Sequence, residues 1–212
     1  MTSFEERLDP GLREVLASLR QPTDIQDFLD QTSYSTEYAN RSPVRVLRDR
    51  IAHCLDGGLF AAAVLRRLGH PPLVVDLLPE PGTDDDHVLA IFRCDGGIGA
   101  VAKSNFTGLR YREPIYRNIR ELALSYFESF FNVHGRRTLR AYTVPLNLER
   151  FDGLGWMWND AAADVIEQTF PRLQRRELLT PEMAAALAPV DKLSYQAGTL
   201  GTSPAGLYKP KT

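Results

Sequence analysis

The stretch His53-Cys-Leu-Asp-Gly-Gly-Leu-Phe-Ala-Ala-Ala-Val-Leu-Arg-Arg-Leu-Gly69 decides the fold. From Cys54 onward, Gly58, Ala61, Ala62, Leu65 and Leu68 recur at helical spacing, and Gly69 supplies the C-terminal stop. Cys54 therefore heads the buried stripe of a small-residue helix. Gly57 and Gly58 each cost about 1 kcal/mol relative to Ala in a helix interior, which points to close packing against a strand or to access for substrate, packing being preferred. Three strand-like segments follow. Pro72 to Leu78 and His87 to Arg93 are compact apolar runs, and the turn Cys94-Asp-Gly-Gly97 joins the second of them to Ile98–Lys103 as a hairpin.

Upstream, Asp9-Pro10 opens an amphipathic helix with Leu12, Val15, Leu16 and Leu19 on one stripe. Thr23 to Asp30 reads as a short helix with Ile25, Phe28 and Leu29 inward, and Gln31 to Pro43 reads as loop. Ser42-Pro43 starts another helical pattern that runs to His53-Cys54 through Val44, Val46, Leu47 and Ile51. Downstream, Pro114 to Phe131 reads as a helix covering the sheet, with Ile115, Ile119, Leu122, Tyr126 and Phe130 on one face. Thr138 to Leu146 has strand character. Ala161 to Leu179 is helical, with Val165, Ile166, Phe170 and Leu173 inward and Pro171 as a bend or stop. The stretch from Gly198 is rich in Gly, Ser, Thr and Pro and is expected to lie loosely on the surface. With no internal repeat and no linker, residues 1–212 read as one domain. It has a helical part (1–50), a catalytic core (51–147) and a helical extension with a loose end (148–212).

Composition narrows the function. At 212 residues with 43% hydrophobic and 25% charged, the chain has the make-up of a packed globular protein. A net charge of −2 leaves no footprint for nucleic acid or an anionic membrane. The longest nearly apolar stretch, Leu59 to Leu68, is far short of the roughly 20 residues that span a bilayer. Two cysteines make no disulfide framework and the N-terminus has no secretory pattern, so a cytoplasmic setting is expected.

The order of cysteine at a helix start, aliphatic strand, and histidine at the next strand start carries the chemistry. A thiolate is favoured at the positive end of a helix dipole, which suits Cys54 to be a nucleophile. His87 can take the proton and hand it to the leaving group, provided a third side chain orients its ring. A three-residue loop centred on Gly96 puts His87 opposite Asn105, whereas a two-residue Asp95-Gly96 turn puts it opposite Ser104. Asn105 is preferred, because an amide can accept a ring N–H bond. His53, Asp86 and Lys103 are candidates for the surrounding shell or a substrate groove. Arg110, Arg112 and Arg117 read as a solvated basic surface, Cys94 as a bystander at a turn, and Trp156 and Trp158 as part of a satellite cluster. Adjacent His53-Cys54 is poor zinc spacing and no Cys-x-x-Cys occurs, so neither a metal nor a cofactor is expected.

The segments His53–Gly69, Pro-Pro-Leu-Val-Val-Asp-Leu and Asp86-His-Val-Leu-Ala-Ile-Phe-Arg93 resemble the core of the transglutaminase-like superfamily. The resemblance covers about residues 50–110. It implies an α+β, papain-like fold in which a central Cys-bearing helix packs on an antiparallel sheet with additional flanking helices. It also implies acyl transfer through a thioester on a peptide, protein or small amide substrate, and hydrolysis is expected over transamidation because it needs no second specific site. Acyl transfer from a thioester donor would use the same triad. The family strand that follows the histidine usually carries Trp and Asp, and Ile98–Asn105 has neither. An inactive binding or scaffold module is the alternative that this departure supports. Oligomeric state is left open.

Overall fold

The computed structural model describes residues 4–37 and 39–209. The Asp9 carboxylate accepts from Leu12 N–H (2.9 Å) and Pro10 takes the first helical position, giving α1 (Pro10–Ser18). Leu16 and Leu19 are buried as their spacing predicts, but Val15 faces solvent. Helix α2 (Pro22–Asp30) buries Ile25, Phe28 and Leu29. The stretch after it, expected to be loop, contributes a short strand β1 (Ser33–Tyr34).

Helix α3 (Pro43–Asp49) stops four residues earlier than its apolar pattern suggests, because Arg50 takes a left-handed conformation (φ 56°). Ile51, counted as helical, starts β2 (Ile51–Ala52), which pairs in parallel with β1 and leads straight into the next helix. That helix, α4 (Cys54–Arg67), is closed at its start by a reciprocal pair. The His53 ring accepts from Asp56 N–H, and the Asp56 carboxylate accepts from His53 N–H (3.2 Å). Every residue from Cys54 to Leu65 is buried, so α4 is the central helix rather than an amphipathic surface one.

The sheet below it has seven antiparallel strands: β3 (Leu73–Pro79), β4 (His87–Cys94), β5 (Gly97–Val101), β6 (Arg112–Tyr116), β7 (Leu139–Thr143), β8 (Leu146–Asn147) and β9 (Arg175–Glu177). The order is β6-β5-β4-β3-β7-β9, with β8 also against β3. Strand alternation sorts the side chains into two layers. Val74, Val88, Ala90, Phe92 and Val101 face α4, whereas Val75, Leu77, Leu89, Ile91 and Ala100 face the opposite layer. The two glycines of α4 permit its close approach: a Cβ on Gly58 would fall 2.8 Å from Val88 Cγ1, and one on Gly57 2.2 Å from Lys103 Cβ.

The hairpin corrects the loop length that favoured Asn105. Cys94 pairs with Gly97, so the turn is the two residues Asp95 (φ 49°) and Gly96 (φ 84°), both left-handed as a type I′ turn requires. The register Ala90 to Val101, continued to position 87, points to Ser104.

Beyond the hairpin the helical reading of Pro114–Phe131 holds only over residues 119–124. Residues 112–116 are edge strand β6, leaving Ile115 exposed, and the helix is the short α5 (Ile119–Leu124). Leu122, Tyr126 and Phe130 are buried against the sheet as expected. Val144-Pro145 divides the 138–146 segment into β7 and β8. Helix α6 (Asp160–Glu167) ends before Pro171, and its continuation becomes β9 instead of helix. Ile166 and Phe170 are buried, whereas Val165 is exposed. Trp156 is fully buried in the α4 layer itself and not in a satellite cluster, while Trp158 lies under the Arg7 guanidinium. Two further helices follow, α7 (Pro181–Ala185) and α8 (Lys192–Gly198). Among the described residues, no helix is long and apolar enough to cross a membrane.

Candidate active site

Where α4 begins and β4 begins, a cleft with about 450 Å³ of empty space, part of it open solvent, brings Cys54, Asp86, His87, Ser104 and Asn105 together. Asp84, Asp85, Phe106, Leu109, Phe130 and Phe131 extend its wall, and Tyr34, Gly206 and Tyr208 complete it.

Cys54 owes its position to the start of α4. The buried Asp56 carboxylate ties that helix start to the preceding loop, accepting from Arg41 N–H (2.6 Å) and from its guanidinium (3.4 Å). Burial still outweighs these partners and raises Asp56 to about 6. The Cys54 thiol lies over the first residues of β4 and donates to the Asp86 carbonyl (3.7 Å). Burial pushes its pKa well up, and Asp86 and Asp85 add to this, against the smaller opposing pull of the Val88 N–H. The thiol is therefore held protonated, despite its place at a helix start.

His87 is held from the other side. Its Nε2 lies 2.7 Å from the Leu109 carbonyl, which can only accept, so Nε2 carries the proton and Nδ1 the lone pair. The rings of Tyr126 and Phe130 stand edge-on to it, with centroids at 6.3 and 6.5 Å. Tyr126 is fixed in turn by its hydroxyl on the Arg110 carbonyl (2.8 Å) and by the Arg112 guanidinium over its ring (3.9 Å). Burial lowers His87 to about 4, so the imidazole is neutral at pH 7. By strand alternation, the His87 ring belongs to the layer opposite α4, while Val88 packs under α4. Thiol and imidazole thus reach one cleft from opposite faces of β4.

A third ionisable group is buried next to them. Asp76 on β3, paired with Val88, accepts from the His87 backbone N–H and leaves Oδ1 without a partner. Burial, with Asp86 adding to it, raises the Asp76 carboxyl well above the ordinary carboxylate range.

The other sequence-nominated residues take different places. Asn105 lines the cleft, but its amide is committed to Ser203, donating to the carbonyl (2.9 Å) and accepting from the N–H (2.8 Å). It does not orient His87; the Leu109 carbonyl does. Ser104 Oγ accepts from Phe106 N–H (3.0 Å). Lys103 lies under α4 outside the cleft, its ammonium donating to the carbonyls of Leu29 (2.8 Å) and Thr32. Burial lowers it to about 8. His53 is the helix cap, and burial lowers it to about 4. Of the arginines read as solvated surface, Arg112 is instead built in, donating to Ser125 and to the Gly108 carbonyl. Leu109, Tyr34 and Gly206 were missed. A carbonyl carries no sequence signal, and the other two are brought in by chain segments distant from the cysteine and histidine.

Among the described residues, no three His, Cys, Asp or Glu side chains are grouped to hold a metal ion. No family model matches the chain, and no curated protein matches it.

Proposed function

We propose that the chain is a cysteine-dependent acyl-transfer enzyme with a papain-like, transglutaminase-like core, acting on an amide or peptide bond. The observation that carries this reading is the single cleft shared by a cysteine at the start of a buried helix and a histidine with an acceptor-anchored ring. As Cys54 Sγ bonds to the substrate carbonyl carbon, the thiol proton passes to the lone pair of neutral His87. His87 then protonates the leaving amine, the C–N bond breaks, and a thioester remains. The Cys54 N–H is free of any intrahelical acceptor and supports the developing oxyanion. Water then cleaves the thioester and restores the thiol. Hydrolysis is favoured over transamidation because it needs no second specific site. This chemistry starts from a neutral thiol and imidazole, the protonation states that burial favours here.

A second reading, a binding module with a residual cysteine and histidine, is favoured by the raised thiol pKa and by the ring lying on the opposite face of β4. Iodoacetamide labelling across pH separates the two, with Cys94 as internal control. Labelling of Cys54 that is slowed in His87→Ala while that of Cys94 is unchanged is the expected result. Labelling of Cys54 indifferent to His87→Ala would overturn the enzyme reading.

A further inference from the structure

The stretch after α8, expected to lie loosely on the surface, instead forms part of the cleft wall. It is led there by α8, whose end is tied down where Thr107 donates to the Ala197 carbonyl (2.9 Å) and Gly198 lies against the Phe131 ring. From Ser203 the backbone is extended, makes one turn over Pro204–Gly206, and is extended again at Leu207.

Two contacts have the character of peptide recognition. The Asn105 amide satisfies both main-chain groups of Ser203, so it reads a peptide backbone irrespective of side chain. Three residues on, a Cβ at Gly206 would fall 2.7 Å from Tyr34 Cδ1 and 3.3 Å from Asn105 Nδ2. Gly206 is not among the glycines with positive φ, so the backbone does not require glycine here. The requirement is space.

We propose that the cleft beside Cys54 is a peptide-binding groove, with Asn105 clamping the main chain and Tyr34 admitting only glycine, and that Ser203–Tyr208 occupies it in cis. The proposal rests on reading this cleft as the functional site, and it makes the substrate class a peptide or protein segment with glycine at that point. A tethered occupant enjoys a high effective concentration, so a free peptide competes poorly until the tethered one is weakened.

The test uses the full chain and the peptide Ser-Pro-Ala-Gly-Leu-Tyr, capped at both ends and carrying a fluorophore, with binding read by anisotropy. Ser203→Pro removes the N–H that Asn105 accepts, at a φ of −79° that proline tolerates. Gly206→Val drives a side chain into Tyr34. Ser203→Ala keeps the N–H and serves as control. Far-ultraviolet circular dichroism checks that each variant is folded. Loss of one hydrogen bond should raise the open fraction, and so the apparent affinity for the peptide, about three- to tenfold in Ser203→Pro. Gly206→Val should gain at least as much, Ser203→Ala should match wild type, and a peptide with Val in place of Gly should not bind. Equal binding by wild type and both groove-opening variants, or binding by none of them, would overturn the proposal. Repeating the titration in Cys54→Ala separates the two readings: retained binding without any amide cleavage by the parent protein would sink the acyl-transfer reading and leave the groove standing.

Discussion

On the thiol side of the cleft, the supports are side chains sealed in the α4 layer: Gly57 against Lys103, Gly58 against Val88, and Asp56 paired with a buried Arg41. On the histidine side, the supports are a main-chain carbonyl from Leu109 and the rings of Tyr126 and Phe130. The first side is specified by residue types that a reader of the sequence can see, and a substitution there should act on folding. The second is specified by where distant segments return to the sheet, and a substitution there should act on the ionisation and orientation of one ring.

Arg41→Ala should separate the two sides most sharply. Arg41 and Asp56 are 3% and 0% exposed at their side chains, so removing the cation leaves a buried carboxylate short of a partner. A loss of about 3–5 kcal/mol is expected at pH 8 from urea unfolding. Asp56 titrates upward, at about 6 in the folded protein against 3.8 ordinarily, so its favourable contribution is present at low pH and is lost as pH rises through 6. The Arg41→Ala penalty should therefore shrink at pH 5, where the carboxyl is protonated and needs no cation. A penalty that grows on acidification would contradict the buried pair.

Gly57→Ala should be next in size. Helix propensity alone favours alanine by about 1 kcal/mol, but the new Cβ would sit 2.2 Å from Lys103 Cβ. Overpacking costs typically 1–3 kcal/mol and more where backbone must move, so a net loss of about 2 kcal/mol is expected in the same unfolding measurement. A gain in stability would mean that α4 does not approach the strands as closely as the geometry requires.

That contrast also marks how much could be read in advance. The spacing of Cys54, Gly58, Ala61, Ala62 and Leu65 and the stop at Gly69 gave α4 nearly to the residue, and the two glycines announced the close packing. Strands β3, β4 and β5 followed from their apolar runs. The errors lie where local signals compete. Arg112–Tyr116 has an apolar spacing that fits a helix, but as an edge strand it leaves Ile115 in solvent. Arg50 ends α3 through a left-handed backbone that no sequence rule for arginine anticipates. That Cys54 and His87 line one cleft was legible from order alone. The partner of His87 was not, because it is a carbonyl, and Asn105 was misread because its actual partner lies 98 residues away.

The smallest effect expected, and the most specific to the histidine side, comes from His87→Gln. Glutamine can keep a donor for the Leu109 carbonyl while losing the ring contacts, so at pH 7 the variant should be less stable by about 1 kcal/mol. The informative quantity is how that gap moves with pH. His87 is lowered to about 4 from 6.5, so its neutral burial contributes stability that is present above 6.5 and is lost as pH falls toward 4. Over that interval the loss amounts to roughly 3 kcal/mol for wild type. Glutamine does not titrate and escapes it. The stability order should therefore cross, with wild type the more stable at pH 7 and His87→Gln the more stable at pH 4. A gap that stays constant would mean that the ring already reaches water and can charge in the folded state. The histidine side would then be an open rim instead of a carbonyl-anchored, ring-packed wall, and only the thiol side would be the sealed one.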